Sequence, residues 1–158
     1  MNKGENMKLS ANFWLDEFEK SQTATRHGID NSVPSGLVND IKDLCVNVLQ
    51  PIRDEFGPVT ITSGYRSPDL NAKLGGSTRS QHCAGQAADL EVPGVDNRRV
   101  ALWIQDNLKF DQLILEGYKP YVTNSGWIHV SYRPFGLRNQ VLTATFSGGK
   151  ARYTNGIV

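Results

Sequence analysis

A stripe of apolar residues, Leu37, Ile41, Leu44 and Val48, recurs at i, i+4, i+7 and i+11 and ends at Gly57-Pro58. The pattern then turns β-branched in Val59-Thr-Ile-Thr-Ser63. That single change of period constrains the fold most. The first stretch puts its apolar side chains on one face of a helix over about Ser35 to Phe56, with Pro34 at a tolerated first-turn position and Gly57-Pro58 as a stop. Pro51 falls inside the stripe, and its missing N–H predicts a kink or break near Gln50. Beyond Pro58 the segments are mostly short and strand-like, so the chain reads as α+β with an antiparallel sheet and helices packed on one side.

The strands predicted beyond Pro58 are Val59–Ser63, Ala87–Val92, Phe110–Leu115, Trp127–Tyr132 and Val141–Phe146, with a last short one in the tail Ser147–Val158. An amphipathic helix is expected over Asn97–Leu108. A shorter amphipathic segment lies within Asn12–Ser21, where Phe13, Trp14 and Phe18 alternate with acids. Gln22 to Ser32 reads as a polar connection carrying His27. Arg66 to Gly85 is rich in Ser, Gly, Asn and Pro and reads as a long functional loop with one helical turn near Asp69–Leu74. No repeat or low-complexity stretch divides the 158 residues, so one domain spanning 1–158 is expected.

Charge and composition exclude several classes. Seventeen Lys and Arg against sixteen Asp and Glu leave a net charge of +1, with the basic residues scattered, so nothing here recruits nucleic acid. No run approaches the roughly 18–20 apolar residues of a bilayer span, so no membrane insertion is expected. The stretch Met1–Ser10 has no apolar core of a secretory signal, which predicts synthesis in the cytoplasm. Two cysteines, Cys45 and Cys83, are too few for a disulfide scaffold, and Cys45 sits on the apolar helix face.

With only three histidines, their placement is informative. His82 stands in the loop sequence Ser80-Gln-His-Cys-Ala-Gly-Gln-Ala-Ala-Asp89, and an acid stands seven residues further on as a strand begins. His129 stands in the predicted strand Gly126-Trp-Ile-His-Val-Ser131. Two imidazoles and a carboxylate form a common ligand set for a catalytic zinc, leaving one position for water. By spacing alone these three also fit a loop histidine, a turn acid and a strand residue. The helical His-Glu-x-x-His signature is absent, as is the deaminase pairing of His-x-Glu with Pro-Cys-x-x-Cys. Cys83 with His129 as base would be a rival nucleophile pair.

The ordered set Ile61-Thr-Ser-Gly-Tyr-Arg66, Leu70-Asn71, Gly75-Gly76, Ser80-x-His82, Gly85-x-Ala87-x-Asp89 and Trp127-Ile-His129-Val-Ser131 closely resembles the D-alanyl-D-alanine zinc peptidases of the M15 type. It is most similar to short versions common in phage genomes, and Glu17-Phe18, Ser21–Thr25 and Gly28–Asn31 share that likeness. The resemblance covers about residues 12–133. It implies a hedgehog/DD-peptidase-like fold, Zn2+ held by His82, Asp89 and His129, and Arg66 gripping a substrate carboxylate or carbonyl. It also implies a supporting or substrate-orienting role for Ser80, with Trp127 either walling the site or packing the sheet.

Many relatives carry an acid three residues before the last zinc histidine. This chain has Gly126 there, and Asn124 and Ser125 beside it cannot serve as a base. The segment Phe110-Asp-Gln-Leu-Ile-Leu-Glu116 resembles the corresponding stretch of the hedgehog signalling domain, which implies Glu116 as the general base. Asp111 is the weaker candidate and reads as a cap or turn acid. The expected activity is hydrolysis of D-alanine-containing peptide bonds in the stem or cross-link peptides of peptidoglycan, as endopeptidase or carboxypeptidase. The expected agent is a monomeric bacteriophage endolysin acting on the cell wall after release, or a virion-borne wall-cutting protein. The alternative is a zinc-containing binding or virion module without turnover.

Overall fold

Two short helices, α1 (Asp16–Glu19) and α2 (Gln22–His27), precede a helical run that is unbroken from Ser35 to Phe56 in the computed structural model, which describes residues 6–158. Part of the Met1–Ser10 stretch lies outside the described residues. Helix α2 falls inside the segment expected to be a polar connection. Its caps explain it: the Ser21 hydroxyl accepts the Ala24 N–H at its start, and Gly28 takes a left-handed conformation (φ 64°) at its end.

The long helical run opens with a 3-10 turn over Ser35–Leu37, continues as α3 (Val38–Leu44), widens into a π turn over Cys45–Leu49 and closes as α4 (Gln50–Phe56). The wide turn is how the chain passes Pro51 without breaking. A proline has no N–H and its ring collides with the carbonyl four residues back. Here the Gln50 N–H reaches back five residues to the Cys45 carbonyl, and Pro51 becomes a first-turn residue of α4, where the missing donor costs little. The predicted interruption is therefore a local change of winding, and Cys45, Val48, Leu49 and Ile52 all stay buried.

The remaining elements are β1 (Thr60–Ser63), α5 (Pro68–Lys73), β2 (Ala87–Glu91), α6 (Asn97–Asn107), β3 (Gln112–Glu116), β4 (Trp127–Ser131), β5 (Gln140–Ser147) and β6 (Lys150–Asn155). They form one six-stranded sheet in the order β1-β2-β4-β3-β5-β6. Neighbours are antiparallel except β3 and β5, which run parallel. The exception has a local cause. After β4 the chain returns past the start of β3, where the buried Asp111 carboxylate accepts the backbone N–H and guanidinium of Arg138. The Asp111 and Phe110 carbonyls accept the N–H groups of Gln140 and Asn139. Strand β5 is thus pinned beside β3 at the same end and must run the same way.

Alternation along the strands gives the sheet two unlike faces. Ala88, Leu90, Leu113, Leu115, Ile128 and Val130 enter one core with Ile41, Leu44, Val48 and Leu49 of the long helical run and Val100, Ala101 and Ile104 of α6. The helices cover that face. The other face carries Asp89, Ile114, Glu116, Trp127 and His129.

Candidate metal centre

Asp89 on β2 and His129 on β4 are direct cross-strand partners. Opposed residues in such a ladder have Cβ atoms about 5 Å apart, so a β-ladder alone suffices to bring these two side chains together. In the structure His129 Nδ1 lies 3.1 Å from Asp89 Oδ1. His82 arrives from the loop after α5, where turns close between Ser80 and Cys83 and between Gln81 and Ala84, and the Ser80 hydroxyl accepts the His82 N–H at 3.2 Å. Its Nε2 comes within 3.3 Å of the same Asp89 Oδ1. One ligand atom from each residue falls within 4.8 Å of the others.

The ring orientation of His82 has a specific cause. Its Nδ1 lies 2.7 Å from the Gly64 carbonyl oxygen, which can only accept, so Nδ1 carries the proton and the Nε2 lone pair faces Asp89. Gly64 is needed there: a Cβ at this position would stand 2.6 Å from Phe18 Cα, so any other residue would push the end of β1 off α1. His82 Nε2, His129 Nδ1 and a carboxylate oxygen thus converge, with His82 and Asp89 buried. Packing acceptors this closely is unfavourable unless a cation or extra protons lie among them. Nitrogen, nitrogen and carboxylate oxygen are the donor chemistry of zinc and its first-row neighbours, so the residues fit a divalent metal. Where protons instead of a cation fill the cluster, burial opposes ionisation of Asp89, yet hydrogen bonds and charge from His129 and His82 outweigh it and hold the carboxyl well below the usual range.

Arg66 leaves the end of β1 and turns its fork onto the same carboxylate. Its Nη2 is 3.4 Å from Asp89 Oδ2, and its Nε donates to Ser63 Oγ at 3.0 Å. The loop bearing it is anchored by Asn31, whose side chain donates to the Glu19 and Tyr65 carbonyls and accepts the Ser67 N–H. Glu116 faces Trp127 in the β3–β4 ladder and accepts its indole N–H at 2.8 Å. Burial and the charge of Asp89 push the Glu116 carboxyl above its ordinary value, against the opposing influence of His129, Trp127 and Arg66.

Arg66, His82, Asp89, Glu116, Trp127 and His129 line one groove of about 450 Å³, together with Ser80, Gln81, Arg79, Ile114 and, from the far side, Gln112, Arg138 and Tyr153. That volume is typical of a small-molecule or peptide site. The chain matches the Peptidase M15 family over residues 11–131. It belongs to the M15 peptidases, a family of zinc peptidases. Among curated proteins, none matches it.

In this M15 peptidase Gly126 has its own structural reason. It sits at φ +68°, and a Cβ there would stand 2.2 Å from the Glu116 carbonyl oxygen and 2.7 Å from the Tyr118 nitrogen. No acidic side chain can occupy this turn without rebuilding it. Cys83 does not line the groove; it borders a separate cavity of about 130 Å³ with Pro68, Asn71 and Thr78. Burial raises its thiol pKa, with Arg66 opposing, so nothing prepares it as a nucleophile. His27 is exposed on α2. Asp111 is fully buried and clamped by Arg133 and Arg138 at 3.1 and 2.7 Å, the turn acid that the sequence suggested.

Sequence reasoning missed the Gly64 carbonyl, Asn31 and Tyr153. The first is a backbone atom and leaves no compositional trace. Asn31 looks like any loop polar residue, and Tyr153 lies outside the matched region. Among the described residues, no helix is long and apolar enough to cross a membrane.

Proposed function

We propose that this M15 peptidase is a single-domain zinc enzyme that hydrolyses D-alanine-containing peptide bonds of peptidoglycan, with His82, Asp89 and His129 as the metal ligands. The observation that carries the reading is the convergence of those three ligand atoms within 4.8 Å, in a groove that also holds an elevated-pKa carboxylate and an arginine. When bound, zinc supplies the Lewis acid that polarises the scissile carbonyl and makes water nucleophilic near neutral pH.

Glu116 takes the proton of the attacking water and returns it to the leaving amine. A carboxyl raised toward neutrality suits both tasks, because it ionises readily enough to accept and reprotonates readily enough to donate. Trp127 keeps it aimed by donating its indole N–H, the role that supports placing Trp127 in the site as well as in the sheet. Arg66 grips a substrate carboxylate or carbonyl; its contact with Asp89 is long and uses one nitrogen, so the fork retains N–H groups for a ligand. Ser80 holds the turn that delivers His82. The likeness of Glu17-Phe18, Ser21–Thr25 and Gly28–Asn31 to short phage versions supports an endolysin or virion-borne enzyme.

The test is release of free amines from purified peptidoglycan by protein stripped with a chelator and then reloaded. Cleavage that stops on stripping and returns with one equivalent of zinc supports the reading. Zinc uptake with no cleavage of any wall peptide would instead mark a binding module without turnover.

A further inference from the structure

The family match ends at residue 131, but the groove does not. Tyr153 of β6 reaches its far side, beside Gln112 and Arg138. The register shows how: Trp127 faces Glu116, Glu116 faces Ala144 across the parallel ladder, and Ala144 faces Tyr153. These four residues form one row on the face that bears Asp89 and His129. Ala144 is fully buried and contributes only a methyl, so the next side chain able to rise beside Glu116 is Tyr153, which lines the groove. Phe146, on the same face of β5, stacks on Trp127 with ring centroids 5.8 Å apart and planes 20° from parallel. Tyr153 and Phe146 are 56% and 50% exposed, so two aromatic surfaces stand open beside the metal ligands.

The two walls differ in chemistry. One side presents the guanidinium groups of Arg66 and Arg79. The hairpin side presents the Tyr153 ring, and Phe146 stacks on the Trp127 that also lines the groove. Arg138 also borders the groove there, its Nη2 2.7 Å from Asp111 Oδ2, a carboxylate it shares with Arg133. A peptide laid across the groove would thus meet Arg66 and Arg79 on one flank and the Tyr153 ring beside Arg138 on the other.

We propose that the β5–β6 hairpin supplies a specificity wall through Tyr153, which positions the stretch of the substrate peptide on the N-terminal side of the scissile bond, opposite the carboxylate flank held by Arg66. This rests on the peptidase reading above. A tyrosine suits the task because it offers a large, rigid surface at a low cost in side-chain entropy. The wall can act only on substrates long enough to reach it, so it selects a stem peptide over a bare dipeptide.

The experiment compares Tyr153→Ala and Tyr153→Phe with wild type, all zinc-loaded, on a stem pentapeptide ending in D-alanyl-D-alanine and on the dipeptide D-alanyl-D-alanine. Zinc content and circular dichroism confirm that each variant is folded. Tyr153→Ala should raise KM for the pentapeptide by about tenfold, leave kcat within about twofold, and leave the dipeptide unchanged. Tyr153→Phe should behave as wild type, since the ring makes the contact.

Pentapeptide binding is also measured calorimetrically, without turnover, in Glu116→Gln and in Glu116→Gln combined with Tyr153→Ala; the second should bind about tenfold more weakly. Equal losses on both peptides, or unchanged KM and Kd, overturn the proposal while leaving the peptidase reading intact. Wild type that neither binds nor cuts either peptide overturns the proposal, and failure to cut whole peptidoglycan as well overturns the peptidase reading.

Discussion

At the scale of single residues, the site depends on groups that hold others. Glu116 is the clearest case: its carboxyl is buried near Asp89, and the Trp127 indole steadies the ionised form. Glu116→Gln should keep zinc and lose about a hundred- to ten-thousand-fold in kcat, checked by metal analysis alongside steady-state rates. The raised pKa sets the sign of the pH dependence. A base must be ionised to act, so activity falls as pH drops through a value above the ordinary 4.5 of a glutamate. Trp127→Phe removes a hydrogen bond that favours the charged form, so the acid limb of kcat/KM should move to higher pH while zinc content holds. That His82, Asp89 and His129 come together with Arg66 beside them was legible in the sequence because the order of the motifs is specific. The tautomer of His82 was not, since it depends on the Gly64 carbonyl, and backbone atoms have no signature in composition.

At the scale of elements, Asp111 shows how a turn acid sets topology. Burial works against its charge, but the Arg138 hydrogen bonds outweigh that cost and hold its carboxyl below the usual range. A depressed folded-state pKa contributes stability above the unfolded value and loses it as pH falls through the folded one. Asp111→Asn should therefore destabilise by about 2–3 kcal/mol at pH 7, the modest end for a buried pair because both arginines can rehydrate. Urea unfolding should show the gap between variant and wild type narrowing below the ordinary aspartate value of 3.8. Gly126→Ala places a methyl against the Glu116 carbonyl and should cost at least about 2 kcal/mol by the same assay. The long helical run, α6, β3 and β4 were readable from period because each buries one face. Helix α2 was not, because its signal lies in two caps. The parallel pairing of β5 was also hidden, because Asp111 and Arg138 are 27 residues apart and meet only in the fold.

At the scale of the whole molecule, the sheet separates two tasks. One face is a continuous apolar core under the helices, and the other is a polar groove in which His82, Asp89 and His129 cluster and Glu116 lines the wall. Such a site is held together by packing, yet its clustered acceptors are relieved by a bound cation, so metal and stability are linked. Zinc at a thousandfold excess over its Kd should stabilise the chain by about 4 kcal/mol, raising Tm by about 8–16 °C, and a chelator should reverse it in a calorimetric scan. The most direct measurement of the central claim is zinc stoichiometry by elemental analysis of dialysed wild type and His129→Ala. One zinc per chain in wild type and less than about a tenth of that in the variant is the predicted result. Wild type that takes up no metal, or a variant that retains it undiminished, would contradict the account.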